Sequence, residues 1–150
     1  EYISMQIESG ADCIQIFDSR GGILGDQYND YSLKYINDIR TSLTKDIPLI
    51  LYSKGTKVSS ILKDTEIDCF NLDCKDSIDE YIDMPVTVQG NFDPKDFDNE
   101  KNILEDMAEK IFEKYADRKN YIFNVGSGIT PDVNPENVGY FLNKLFSHRS

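Results

Sequence analysis

Short apolar runs alternate with longer amphipathic stretches along the chain. Each run is rich in Ile, Val or aromatic residues, and the five runs are Cys13–Phe17, Pro48–Tyr52, Cys69–Leu72, Val86–Gln89 and Tyr121–Val125. Runs of this length and composition are typical of strands buried on both faces of a parallel sheet. The pattern therefore predicts five parallel strands.

Helical periodicity fills the intervals between these runs. Tyr28–Leu43 is predicted to be a helix, with one apolar face at four-residue steps formed by Tyr31, Tyr35, Ile39 and Leu43. Asn134 is a good N-cap and Pro135 suits the first helical position, so a helix is expected to start there. The other helical patterns are Glu1–Ser9, Lys57–Leu62, Asn99–Tyr115 and Asn137–Phe146.

Strands that alternate with helices predict an α/β protein, and two architectures compete: an open doubly wound sheet and a (β/α)8 barrel. No GxGxxG and no P-loop follows a strand. Polar or Gly residues follow each strand, as expected where barrel strands converge on one mouth that holds the chemistry. Five strands cannot close an eight-stranded barrel. Residues 1–150 are therefore expected to form part of one barrel domain, with the N-terminal part missing before Glu1.

Charge and composition exclude several functions. The 150 residues are 39% hydrophobic, which indicates a globular chain, and their net charge is −11. Nucleic acids and anionic membrane surfaces both require cationic proteins, so neither partner is expected. No apolar stretch of about 18 residues predicts a membrane span. Three cysteines without CxxC spacing and a single histidine, His148, indicate reduced thiols in a cytoplasmic protein and predict no metal site.

Three motifs at strand ends could carry chemistry or could be ordinary turns. IFDSRGG offers Ser19 and Arg20 to a carboxylate, and LYSKGT could cradle an anion through Lys54. NVGSGITPD, around Ser127, could be a phosphate cradle, a nucleophile turn or a strand-to-helix connection. A serine nucleophile needs a nearby base, and His148 at the end of the last helix is poorly placed for that role.

Taken in order, five motifs resemble the uroporphyrinogen decarboxylase family: GADCIQIFDSRGG, PLILYSKGT, NLDC, VQGNFDP and YIFNVGSGITPDVNPENV. This resemblance covers nearly the whole chain. It implies the C-terminal portion of a (β/α)8 TIM barrel, about strands four to eight. It also implies a lyase of porphyrin and heme biosynthesis that removes CO2 from the four acetate side chains of uroporphyrinogen III without any cofactor or metal.

The resemblance also assigns residues, with departures. Phe17 and Ser19 match family residues that contact the porphyrinogen, whereas the principal catalytic aspartate and the carboxylate-binding arginines are expected upstream of this chain. Ser127 stands where the family has a substrate-contacting histidine, and a serine cannot carry a proton near neutral pH. Arg20 and Cys74 stand where tryptophan is common. Substrate contacts are therefore predicted at Phe17, Ser19 and Ser127.

Two alternatives to a decarboxylase stay open. One is a degenerate, non-catalytic paralogue of the same fold. The other is a corrinoid-dependent methyltransferase, a relative that binds zinc through an HxC motif at the strand matching LILYS, where this chain has Tyr52, Ser53 and Lys54. The full-length protein is expected to be a cytoplasmic homodimer. The isolated chain, which lacks the principal aspartate and carries net negative charge, is expected to be inactive.

Overall fold

The computed structural model describes residues 1–147, and its centre is a five-stranded parallel sheet. The strands are β1 (Ile14–Asp18), β2 (Leu49–Ser53), β3 (Cys69–Asn71), β4 (Thr87–Gln89) and β5 (Tyr121–Ile122). The α-helices are α1 (Tyr2–Glu8), α2 (Lys34–Ser42), α3 (Val58–Ile61), α4 (Lys101–Tyr115) and α5 (Pro135–Ser147). A π-helix covers Asn29–Leu33, and 3-10 turns cover Gly21–Gln27, Leu62–Asp64, Ile78–Glu80 and Pro94–Asp98.

The order of the strands decides between the two predicted architectures. Each strand pairs in parallel with the next one along the chain, in the order β1-β2-β3-β4-β5. A doubly wound sheet reverses its strand order at a switch point, whereas the wall of a barrel runs in sequence. The chain is therefore a partial (β/α)8 barrel, and the predicted fold class is confirmed.

The two faces of the sheet differ, because successive side chains of a strand point to opposite faces. One face carries apolar side chains that join the main core under the helices: Ile14, Leu49, Leu51, Phe70, Leu72 and Val88. The alternate residues include Gln15, Asn71 and Gln89, and these lie on the opposite face, which is the inside of the barrel. The interior is therefore partly polar.

A second core joins helices α4 and α5 to the end of the sheet. The rings of Phe92 and Phe141 lie 4.5 Å apart, and Phe97 packs against both. Leu104 and Ala108 of α4 are buried in the same cluster. This aromatic cluster anchors the final helix, whose predicted start at Pro135 is confirmed.

The predicted apolar face of the second helix is wrong. Tyr31 and Tyr35 are 64% and 59% exposed, whereas Tyr28, Leu33 and Ile36 are buried. The segment begins as a π-helix, which has more residues per turn than an α-helix. The buried stripe therefore includes a five-residue step, from Tyr28 to Leu33, which a search for four-residue spacing does not find.

The fifth strand is shorter than its apolar run predicts. It ends at Ile122, and only a single bridge between Phe92 and Val125 continues the pairing. The side chain of Asn124 accepts a hydrogen bond from the Val125 amide at 2.9 Å, so the backbone already turns at this point. His148 lies outside the described residues. Among residues 1–147, no helix combines the length and apolarity that crossing a bilayer requires.

Candidate functional site at the carboxyl end of the strands

The polar loops that follow the strands lie at one end of the sheet, and we call this end the mouth. Parallel strands in sequential order place all their carboxyl ends together. Asp18 and Ser53, the last residues of β1 and β2, are register partners, so the two motifs after them are neighbours. The sequence motifs IFDSRGG and LYSKGT therefore meet.

These two loops interlock through their backbones. The Gly22 amide donates to the Lys54 carbonyl at 2.9 Å, and the Lys54 amide donates to the Asp18 carbonyl at 3.2 Å. A Cβ on Gly22 would lie only 2.5 Å from the Gly55 carbonyl carbon, so no larger residue fits there. Gly55 itself has a φ of 77°, a conformation that favours glycine. The glycines of both motifs are explained by this close approach.

Asp18 holds the loop rather than facing a ligand. Its carboxylate accepts a hydrogen bond from the Ser32 hydroxyl at 2.5 Å, and Ser53 donates to Thr56 at 2.9 Å in the next loop. Gly21 is buried against this group, since a Cβ there would lie 2.7 Å from the Asp18 carboxylate. The polar core under the first loop leaves Ser19 and Arg20 on the exposed side.

Phe17 and Tyr52 form an aromatic pair at the top of β1 and β2. Their ring centroids lie 5.9 Å apart at 62°, an edge-to-face contact. Phe17 is 67% exposed, although it is the last apolar residue of its strand. Tyr52 is buried, and this burial is the largest cause that raises the pKa of its hydroxyl. The negative charges of Asp73 and Asp76 raise that pKa further.

Ser127 lies against the loop that follows β3. The Cys74 thiol donates to the Ser127 hydroxyl oxygen at 3.5 Å, which leaves the serine's own proton for another acceptor. Gly126 makes this contact possible, because a Cβ there would lie 2.5 Å from the Cys74 amide nitrogen. Cys74 and Ser127, two of the three positions that depart from the pattern of the resembled family, are therefore in direct contact although 53 residues separate them.

Tyr52 links two of the three predicted site residues. Its ring contacts Phe17, and its hydroxyl donates to the Gly126 carbonyl, next to Ser127, at 3.4 Å. Ser19 stands in the same mouth on the loop after β1, but among the described residues it makes no hydrogen bond with either of them. The structure thus brings Phe17 and Ser127 into one connected group and leaves Ser19 at the rim.

An amide network inside the barrel was missed by sequence reasoning. The Asn71 side-chain oxygen accepts from Gln89 at 2.7 Å and from Asn124 at 3.0 Å, and Gln89 also donates to Gln15 at 3.1 Å. Asn71 and Gln89 are the buried polar residues of the sheet. The signal was present, because Gln15, Asn71 and Asn124 are each the one polar residue inside an apolar run, and Gln89 ends another such run.

The remaining mouth loops are closed by their own acidic side chains. Asp93 accepts from the Lys95 amide at 3.0 Å and so caps the turn that begins at Pro94. Asp76 accepts from the Asp73 amide at 3.0 Å, and its burial raises the pKa of that carboxyl. Asn91 ties this loop to β4 by donating to the carbonyl oxygens of Asp73 and Asp76 at 2.8 Å and 2.6 Å.

The fold and the mouth define the class of protein: an α/β barrel with a polar site at the carboxyl ends of its strands. The sequence model of the uroporphyrinogen decarboxylase (URO-D) family matches residues 1–146. The chain therefore belongs to this family, as the five motifs predicted.

Individual relatives agree with the family match. The chain is 33% identical to the uroporphyrinogen decarboxylase of Pseudoalteromonas translucida, over 97% of this chain and 44% of the relative. It is 36% identical to that of Vesicomyosocius okutanii, over 91% of this chain and 42% of the relative. Identity to the Legionella pneumophila enzyme is also 36%, over 94% and 42%. The chain thus spans less than half the length of the curated relatives it matches.

Proposed function

We propose that the chain is the C-terminal part of a uroporphyrinogen decarboxylase, a carboxy-lyase that converts uroporphyrinogen III to coproporphyrinogen III without a cofactor. The proposal is supported by the family match over residues 1–146 and by the location of Phe17, Ser19 and Ser127 at one end of the sheet. The observation that carries it is the contact between Ser127 and Cys74, which supports a substrate-binding role at the mouth for the residue that stands where the family pattern has histidine.

The chemistry sets clear demands on the protein. Protonation of a pyrrole carbon beside an acetate creates an electron sink, and CO2 leaves to give an exocyclic methylene. Protonation of that methylene carbon and loss of the first proton from the ring carbon then give the methyl-substituted pyrrole. A site for this reaction must hold the macrocycle, stabilise positive charge on the pyrroles and neutralise carboxylates. In this proposal the exposed Phe17 ring packs on the macrocycle, and Ser19 and Ser127 donate hydrogen bonds to it. The catalytic aspartate comes from another part of the protein.

A chimera tests whether this half-barrel supports catalysis. Residues 1–147 replace the matching part of the Legionella pneumophila enzyme, which supplies the remaining strands, and coproporphyrinogen formation from uroporphyrinogen III is measured. We expect a folded, active chimera whose turnover falls on Ser19→Ala without a loss of more than about 1 kcal/mol in stability. The isolated 150-residue chain is the matched negative control. A folded chimera without activity would contradict the proposal.

Two departures from the family pattern favour a non-catalytic paralogue: Ser127 in place of the histidine, and Arg20 where tryptophan is common. The Ser127 hydroxyl can donate a hydrogen bond, but unlike histidine it does not exchange protons near neutral pH. Ser127→His in the chimera separates the two cases. In a decarboxylase that uses Ser127 as a hydrogen-bond donor, the substitution retains or raises the rate. An inactive chimera that gains activity only with Ser127→His would identify a paralogue that has lost its function.

Two further expectations belong to the whole protein. We propose that it acts as a homodimer in the cytoplasm and binds a porphyrinogen rather than nucleic acid or a membrane surface. The net charge of −11 supports the last two exclusions. Sedimentation of the chimera measures its oligomeric state, and a monomeric active chimera would remove the dimer from the proposal.

A further inference from the structure

The ion pairs of this protein avoid the mouth. Within residues 1–147, four ion pairs lie at the opposite end of the sheet or in the last turn of a helix. They are Arg40–Asp46, Arg40–Asp68, Lys114–Asp79 and Arg118–Asp83. A further pair, Lys144–Glu105, joins helices α5 and α4. By contrast, Arg20 and Lys54 in the mouth have no acidic partner within 4.0 Å among the described residues.

The acidic residues of the mouth are already engaged. Asp18 accepts from Ser32, Asp76 accepts from a backbone amide, and Asp93 caps the turn after it. Asp73 accepts from the Lys75 amide at 3.3 Å. These carboxylates are held by neutral donors of the protein, whereas Arg20 and Lys54 are not held by any acid. Their charges, carried by two adjoining loops of a chain of net charge −11, are available to an anion from solution.

Backbone contacts place Arg20 and Lys54 on one interlocked surface. Arg20 lies between Asp18 and Gly22, and both of these residues hydrogen-bond to the Lys54 backbone, at 3.2 Å and 2.9 Å. Both cationic side chains are exposed. Their long stems can bring a guanidinium, which binds carboxylate in a bidentate manner, and an ammonium point charge to the same group.

We propose that Arg20 and Lys54 form a carboxylate-binding pair at the rim of the mouth. The identity of the ligand rests on the proposed function. The pair holds a side-chain carboxylate of the porphyrinogen beside the Phe17 ring. Lys57 is a poorer member of such a site, because its charge already acts on Asp76, where it partly offsets the burial that raises the pKa of that carboxyl.

Binding can be measured without catalysis. The 150-residue chain is titrated with uroporphyrin, a fluorescent octacarboxylate, and by calorimetry with the tetracarboxylate pyromellitate, both at low salt. Arg20→Ala and Lys54→Ala are each expected to raise the Kd about two- to fivefold, and the double variant about tenfold, in the range of exposed ion pairs. Salt should remove most of the difference.

The matched control is a double variant with the same charge change, Lys45→Ala with Lys63→Ala. Both lysines are exposed, lie away from the mouth and form no ion pair among the described residues. This control is expected to change the Kd less than about twofold, because it alters only the long-range field. If the Arg20/Lys54 double variant binds like the control, or if the unmodified chain binds neither polyanion, the proposal is wrong.

The same variants in the chimera separate this inference from the proposed function. If Arg20→Ala/Lys54→Ala loses polyanion binding and the chimera is inactive, the carboxylate site is supported and the decarboxylase proposal is contradicted. If the chimera is active and the double variant leaves its KM for uroporphyrinogen unchanged, the decarboxylase proposal is supported and the carboxylate site is contradicted. Arg20→Lys should restore only part of the affinity, because an ammonium lacks the bidentate geometry of the guanidinium.

Discussion

At the amino-terminal end of the sheet, Arg40 ties helix α2 to the strands, whereas Arg20 and Lys54 at the mouth carry their charges unpaired. Arg40 donates to the Ile47 carbonyl at 2.7 Å and pairs with Asp46 and Asp68. Asp68 in turn accepts from the Leu49 amide at 2.8 Å, so one charged cluster joins the starts of two strands. An ion-paired cluster holds the strands together at one end, and at the other end Arg20 and Lys54 form the carboxylate site that we propose.

The two ends also differ in how closely their backbones approach. At the mouth, Gly22 and Gly126 permit loop contacts that a single Cβ would block. At the other end, side chains bridge the loops: Asn120 donates to the Ile82 carbonyl at 2.7 Å, and Arg118 pairs with Asp83. This division agrees with barrel enzymes, in which the carboxyl ends of the strands hold the site and the opposite end holds the structure.

The largest effect is expected from Gly126→Ala. The added Cβ would lie 2.5 Å from the Cys74 amide nitrogen and 2.8 Å from its Cα, so backbone must move. We expect a loss of about 1–3 kcal/mol in the free energy of unfolding, measured by chemical denaturation. Gly128→Ala is the matched control, since nothing lies within 4 Å of its Cβ position. Equal stabilities for the two variants would show that the mouth is not closely packed.

Arg40→Ala should have the next largest effect and would sharpen the contrast between the ends. It removes a half-buried hydrogen bond to Ile47, so stability should fall by about 1–2 kcal/mol, while polyanion binding stays unchanged. The mouth variant Arg20→Ala/Lys54→Ala should change stability by less than about 0.5 kcal/mol and alter binding instead. If the mouth variant lost more stability than Arg40→Ala in thermal denaturation, the division of roles would fail.

The smallest effects concern acid titration, where the two regions should have opposite signs. The hydrogen bond from Lys114, 2.7 Å away, lowers the pKa of Asp79 below its ordinary 3.8, so this pair adds stability above that pH and loses it as the pH falls through the lowered value. Burial raises the pKa of Asp76, so its charge reduces stability once the pH rises through the raised value.

Asp79→Asn and Asp76→Asn form a matched pair for this test. At about pH 7, Asp79→Asn should be less stable than the parent by a few tenths of a kcal/mol, about what an exposed ion pair contributes. Asp76→Asn, which keeps an acceptor for the Asp73 amide, should be more stable than the parent. Both differences should shrink toward about pH 3, as measured by urea denaturation. Shifts of the same sign would contradict the opposite environments.

The apolar runs and their flanking signals predicted much of this molecule. Strand positions and the capped start of helix α5 depend mainly on neighbouring residues, so local patterns report them. The π-helical start of the second helix and the early end of the fifth strand were not predicted. Both depend on local backbone geometry, which hydrophobic spacing does not encode. For the fifth strand, this geometry includes the hydrogen bond from the Val125 amide to the Asn124 side chain.

By itself, the sequence determined the family, the α/β alternation and the location of polar motifs at strand ends, because motif order and hydrophobic period are properties of the chain alone. Only the tertiary structure decided which of those motifs touch. Contacts such as Cys74 with Ser127, or the amides of Asn71, Gln89 and Asn124, join residues far apart in sequence. Strand order and register set the distances of these contacts. They also bring together the two loops that carry Arg20 and Lys54.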